Sequence, residues 1–137
     1  MAGFDGWKIN FDLTGERNLG QAAVLGDIVT FTTYVPSADV CTAEGDSYLW
    51  APYYQTGTSY FRSVIGQVYD SVASQFKVLR KLSLGSGLST TPNIHSGVGE
   101  GTKAFVQTST GAIIGIEQAN PGVIKSGPAS WRELLGN

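Results

Sequence analysis

Residues 22–34 read AAVLGDIVTFTTY, residues 45–57 read GDSYLWAPYYQTG and residues 103–117 read KAFVQTSTGAIIGIE. In the first stretch a short apolar run, a Gly26-Asp27 pair and a long run of β-branched and aromatic residues describe two strands joined by a tight turn. The second stretch supplies a further apolar strand that ends in Gln55-Thr56-Gly57, and the third repeats the arrangement with Ser109-Thr110-Gly111 as its turn. Ala22–Gly26, Ile28–Thr33 and Tyr48–Ala51 can be laid over Pro92–His95, Lys103–Thr108 and Ala112–Gly115. The unit is a short strand, a turn, a long strand, a second turn and another strand. In the first copy the second turn expands into the polar segment from Val35 to Asp46.

Composition agrees with strands. The chain has 137 residues, 42% of them hydrophobic and 15% charged, with 18 Gly, 6 Tyr, 6 Phe and 3 Trp. That length suits one domain with a single core. A net charge of -2, with nine scattered Lys and Arg, gives no electrostatic footprint for nucleic acid. No apolar run reaches the roughly 18 residues of a membrane span, and the N-terminal MAGFDGWKIN lacks the pattern of a secretory signal. Cys41 is the sole cysteine, so no disulfide closes within the chain.

Along the chain, Trp7 to Leu13 alternates apolar and polar residues and predicts a half-buried strand. Ala22–Leu25 and Ile28–Tyr34 predict a hairpin, Ser47–Tyr54 a strand cut short by Pro52, and Phe76–Leu82 another strand. Ile94-His95, Thr102–Thr108, Ala112–Glu117, Val123-Ile124 and Ala129–Leu134 complete the set, and no segment reads as a helix. Trp7 and Trp50 are expected in the core. Tyr53 and Tyr54, as neighbours on a strand, are expected on opposite faces, leaving one as a candidate interaction aromatic. Lys77, Arg80 and Lys81 are read as guards of a strand edge.

The long loop supplies the other candidates. Ser37, Asp39, Cys41, Glu44 and Asp46 form a candidate interaction loop, whose three carboxylates read as solvated side chains because their spacing matches no EF-hand. His95 has no visible orienting partner for general-base work, and Cys41 has no second thiol or Cys-His motif. Ser47 and Ser130 lack a G-x-S-x-G context, and the glycine-rich runs around Gly85 and Gly97 are not phosphate loops. No catalytic residue, metal ligand or cofactor is assigned.

Short antiparallel repeats of this kind build β-propellers, whose blades typically have four strands. The expected fold is all-β, with antiparallel strands forming a partial β-propeller of about two to three blades, fewer than the roughly four to eight of closed propellers. Residues 1–137 are accordingly expected to be a single β domain, the C-terminal fragment of a larger propeller, completed or rearranged by self-association into a homo-oligomer.

The chain also resembles the C-terminal β-propeller of the PilC/PilY-type adhesin and biogenesis proteins associated with type IV pili. The resemblance runs through Gly6-Trp7, Gly15-Glu16-Arg17, Phe31-Thr32-Thr33, Pro36-Ser37-Ala38-Asp39, Cys41, Gly45, Ser47-Tyr48-Leu49-Trp50-Ala51 and Thr56-Gly57. It continues in Gln107-Thr108-Ser109-Thr110-Gly111 and Ser130-Trp131-Arg132-Glu133-Leu134. It implies a non-enzymatic structural and binding module acting in pilus assembly, in opposing retraction and in adhesion. It also implies an extracellular, pilus-associated location. The implied partners are pilus components, the rest of the parent protein and a host-surface ligand. The family's Ca²⁺ site follows a DxDxD-type pattern with no counterpart here, and Val40 stands where the family has proline before Cys41. Two alternatives are a fragment of a quinoprotein-like propeller enzyme, which needs cofactor and Ca²⁺ ligands not found here, and a stand-alone carbohydrate-binding β domain.

Overall fold

The structure, a computed structural model, describes residues 5–39, 44–97 and 101–119. All regular structure among them is β. Strands β1 (Ala23–Leu25), β2 (Ile28–Val35), β3 (Asp46–Trp50) and β6 (Lys81–Ser86) form a four-stranded antiparallel sheet in that order. β4 (Gln67–Asp70) and β5 (Gln75–Val78) form a hairpin inserted between β3 and β6. β7 (Asn93–Gly97), β8 (Gly101–Gln107) and β9 (Ile113–Gln118) form a three-stranded antiparallel sheet. The two segments laid over each other in the sequence therefore become two meanders of the same strand order.

The turns follow from local chemistry. Gly26 and Asp27 adopt φ of 56° and 70°, the two positive values that a two-residue turn needs to match the twist of β1 and β2. At the β8–β9 connection the Gly111 N–H returns to the Thr108 carbonyl at 2.9 Å. Asp70 closes the β4–β5 turn, its carboxylate accepting the N–H groups of Val72 and Ala73 at 2.9 and 3.1 Å.

Side-chain alternation then builds the core. Ile28, Thr30 and Thr32 of β2, Leu49 of β3 and Leu84 of β6 turn to one face of the first sheet and are buried. Ala104, Val106 and Ile116 of the second sheet join them in one apolar cluster. Val64 and Ile65, from the segment after β3, complete it, and the Ala119 N–H bonds the Val64 carbonyl at 2.9 Å. At the margin of the cluster the buried Thr30 hydroxyl donates to Gln118 Oε1 at 3.1 Å, tying β2 to β9.

Three strand expectations are corrected. Trp7 to Leu13 joins no ladder. Ile9 and Phe11 are half-buried, as the alternation requires, but the segment lies across the first sheet through rings and single hydrogen bonds. β3 ends at Trp50, and Tyr53 keeps only an isolated bridge to Ile28. Phe76–Leu82 is not one strand, because Leu79 and Arg80 carry the chain from the β4–β5 hairpin to the first sheet, with the Leu79 N–H bonded to Gly66 O. The candidates Val123-Ile124 and Ala129–Leu134 lie outside the described residues, as do Cys41 and Trp131.

The shared core sets a measurable expectation. Leu49→Ala, at a fully buried position, lowers unfolding stability by about 2–5 kcal/mol. Val24→Ala, on the open side of β1, changes it by less than about 0.5 kcal/mol. Chemical denaturation of the two variants checks the inward face of the first sheet, and equal effects would contradict it.

Candidate interaction surface

The outer face of the four-stranded sheet carries Phe31, Thr33, Tyr48, Trp50 and Lys81, brought side by side by the β2–β3 and β3–β6 registers. The Gly15-Glu16-Arg17 turn lies over them, with the Arg17 and Tyr34 backbones exchanging two hydrogen bonds. This places the Glu16 carboxylate against the sheet. Glu16 Oε1 accepts from the Thr33 hydroxyl at 2.5 Å and from Trp50 Nε1 at 3.1 Å, while Oε2 accepts from Lys81 Nζ at 2.7 Å. Trp50 Nε1 also reaches the Thr33 oxygen at 3.0 Å.

The Glu16 side chain is fully buried and that of Lys81 is 18% exposed. Burial alone would raise the Glu16 pKa, but the hydrogen bonds from Lys81, Thr33 and Trp50 and the Lys81 charge outweigh it and hold the carboxyl below 4.5.

Rings close the arrangement. Phe31 stacks on Trp50 with centroids 6.0 Å apart, Phe11 tilts against Trp50 at 5.6 Å, and the Arg80 guanidinium lies 5.3 Å from the indole centroid. Lys81 Nζ lies 4.3 Å from the Tyr48 ring. Arg80 and Lys81 are therefore not edge guards as the sequence suggested. Although β6 is an edge strand, Lys81 turns onto the sheet to satisfy Glu16, and of these three cations Lys77, on β5, is the exposed one. Trp50 is in the core as expected, whereas Trp7 is 37% exposed.

Trp7 instead belongs to an aromatic end of the same sheet. Its indole lies against Gly57, where an added Cβ would stand 2.5 Å from the ring, and its Nε1 donates to the Tyr54 carbonyl at 2.6 Å. The Gln55-Thr56-Gly57 turn is closed by the Gly57 N–H to Tyr53 O at 2.8 Å, with Gly57 at φ 67°. Tyr53 contacts both Tyr54 and Tyr60 edge-on, at 5.3 and 5.1 Å between centroids. Tyr60 in turn packs on Phe61 at 4.2 Å, and Arg62 covers the Phe61 ring. Tyr53 and Tyr54 thus meet instead of facing apart, because they enter a turn where strand alternation no longer applies. Tyr53 is half-buried, and burial, followed by the neighbouring Tyr54 and Asp27, raises its phenol pKa. Tyr54 and Phe61 remain exposed.

The candidate loop lies at the other end of the sheet, since it joins the end of β2 to the start of β3. At a rise of about 3.4 Å per residue, β2 alone separates the two ends by roughly 24 Å. Ser37 Oγ accepts the Asp39 N–H at 3.1 Å, and Asp46 Oδ1 accepts from Ser86 at 3.4 Å. Glu44 is exposed, and Gly45 packs so closely on Val35 and Tyr34 that a Cβ would meet the Val35 carbonyl. Among the described residues, no three His, Cys, Asp or Glu side chains gather in a group able to hold a metal ion. Among them also, no helix is long and apolar enough to cross a membrane.

Sequence reasoning named Glu16 only within the Gly15-Glu16-Arg17 motif of the resemblance and did not single out Phe61 or Arg62. The available signal for Glu16 was an acid immediately after a turn glycine, followed by threonines and a tryptophan on later strands. For Phe61 it was only adjacency to Tyr60. No protein-family model matches the chain, and neither a curated protein nor a solved structure matches it.

Two outcomes test this geometry. Because the Glu16 pKa is lower in the folded state, its stabilising contribution is complete above about pH 4.5 and is lost as pH falls through the folded value. Thermal melting between about pH 3 and about pH 7 should fall steeply on the acid side, and Glu16→Gln should flatten that limb. An unchanged slope would remove Glu16 from the account. Separately, Gly57→Ala should cost about 1–3 kcal/mol from its positive φ, with a further loss from the Trp7 collision. In a Trp7→Ala background only the collision component disappears, so denaturation of the double variant should show a smaller increment.

Proposed function

We propose that the chain is a structural and binding module of a type IV pilus-associated surface protein, built as part of a β-propeller and acting in pilus biogenesis and adhesion. One observation carries the reading: several of the residues on which the resemblance rests meet in space. Trp7 meets Gly57 at one end of the sheet, while Glu16 meets Thr33 and Trp50 on its outer face. An ordered set of short motifs spread over about 50 residues is difficult to match by chance when its members contact one another. The arrangement of two successive antiparallel meanders with facing cores supports the propeller part of the reading, since neighbouring blades pack in this way. The first meander gains β6 as a fourth strand, the usual strand number of a blade.

In this reading the module works by contact and performs no chemistry. The aromatic end formed by Tyr54, Phe61 and Trp7 is the face offered to pilus components or to the rest of the parent protein. Exposed aromatic rings held rigidly by their neighbours bury large areas at low entropic cost. The loop containing Ser37, Asp39, Cys41, Glu44 and Asp46 is assigned to contacts at the opposite end.

Deleting the coding segment for this chain in the organism that carries it tests the proposal. Sheared surface pili should decline, and should return when retraction is blocked. Tyr54→Ser with Phe61→Ser should reproduce part of the defect while leaving the melting temperature nearly unchanged. Normal piliation and attachment after deletion would overturn the reading.

A further inference from the structure

The β4–β5 hairpin leaves apolar surface without a cover. Val68, Tyr69 and Phe76 are 53%, 55% and 62% exposed. Scattered apolar side chains on a surface are ordinary, but these share one short ribbon. The β4–β5 register pairs Tyr69 with Phe76 on one face, where the rings meet edge-on at 5.3 Å, and pairs Val68 with Lys77 and Asp70 with Gln75 on the other. Among the described residues no third strand pairs with β4 or β5, so each presents an open edge of backbone donors and acceptors. A two-stranded ribbon is marginal in water, and a further strand is what it lacks.

A second copy of the chain can supply that strand in few registers. When a strand edge pairs antiparallel with its own copy, the two-fold axis passes beside one residue, which faces its counterpart, and like faces of the two ribbons join. On β4, an axis at Tyr69 sets Val68 against the Asp70 carboxylate, one at Asp70 sets two carboxylates together, and one at Gln67 or Val68 runs the pairing onto Gly66, whose φ is 134°. On β5, an axis at Lys77 opposes two ammonium groups, and one at Gln75 or Val78 carries the pairing past the strand into the turn or the base. An axis at Phe76 sets Phe76 against Phe76 and Gln75 against Lys77 on both sides of it.

The Phe76 register is complementary on both faces. One face carries Tyr69 and Phe76 of each copy as a row of rings on adjacent strands about 4.8 Å apart. On the other, each Lys77 has the Gln75 amide opposite it and the Asp70 carboxylate one strand further on, so no like charges meet. An antiparallel partner for this edge must bring an aromatic residue at its centre and an acceptor beside Lys77. β5 itself meets both conditions, and Lys77 penalises the register one residue away.

We propose that two copies of the chain pair through β5 about a two-fold axis at Phe76, making one antiparallel sheet in the order β4-β5-β5-β4. The ribbon is short, so the contact falls below the roughly 1,200 Å² of stable complexes, and the dimer forms and parts with concentration. This surface is separate from the aromatic end, and the argument does not depend on the pilus assignment.

Sedimentation equilibrium of the full chain between about 10 µM and about 1 mM tests the proposal and should show monomer and dimer with no larger species. Phe76→Ser, at an exposed position, should leave the melting temperature nearly unchanged and weaken the dimer about tenfold or more. In a Cys41→Ser background, Phe76→Cys should give a disulfide-linked dimer on mild oxidation, because directly opposed residues lie within disulfide reach. Tyr69→Cys in the same background should not, because its two copies are three strands apart. A monomer throughout the range, open-ended growth, Phe76→Ser dimers as tight as those of the parent chain, or cross-linking through Tyr69→Cys in place of Phe76→Cys would overturn the proposal. None of these measurements reads piliation, so their failure leaves the pilus proposal standing on its own experiment.

Discussion

The Glu16 carboxylate is the point through which the N-terminal segment is fixed to the first sheet. A buried carboxylate is unfavourable unless its lone pairs are met and its charge is opposed. Here the donors come from three separate places: Thr33 on β2, Trp50 on β3 and Lys81 on β6. The requirement therefore fixes three strands in one register and holds residues 11–17 above them. Replacing such a cluster with apolar side chains could preserve or raise stability, because buried ion pairs often contribute little net free energy. What the ionic version adds is selectivity: a one-residue slip of β3 would turn Trp50 to the other face and leave Glu16 without its indole donor.

That constraint also accounts for how both faces of the first sheet are covered. The inner face meets the second sheet through Leu49, Leu84, Val106 and Ile116. On the outer face, an extended segment that contributes the half-buried Ile9 and Phe11, followed by a turn, replaces a third sheet. Hydrophobic packing has no direction, so the ring of Phe11 could rest on Phe31 and Trp50 in several ways. Glu16 at one end and Trp7 over Gly57 at the other select one of them.

The strands that close a tight turn were legible because period-two alternation and turn chemistry agreed. Gly26-Asp27 and Ser109-Thr110-Gly111 both mark positions where the chain reverses, and the alternation on β8 matches its buried and exposed residues one by one. Trp7 to Leu13 misled because alternation reports which side chains are covered, and it says nothing about whether the backbone has a neighbour to pair with. Arg80 and Lys81 misled for a related reason. Their long apolar stems can lie along aromatic rings while the charge reaches an acid, and sequence position alone does not distinguish this from exposure at an edge.

The β4–β5 hairpin separates the needs of the fold from those of its surface. Every residue of its two strands except Asp70 and Val78 is exposed, and Tyr69 and Phe76 meet edge-on at 5.3 Å. An isolated two-stranded ribbon is marginal in water. This one is held at its base, where Leu79 packs on the core and bonds Gly66, and at its tip, where Asp70 caps the turn. Removing the hairpin would leave the β3–β6 pairing and the Glu16 cluster intact, since neither uses a residue from 67 to 78. The scaffold therefore tolerates variation here without cost to its register. The aromatic end differs, because the Gln55-Thr56-Gly57 turn that presents Tyr54 also seats Trp7. A substitution at Gly57 in that turn would therefore also alter how the N-terminal segment is anchored.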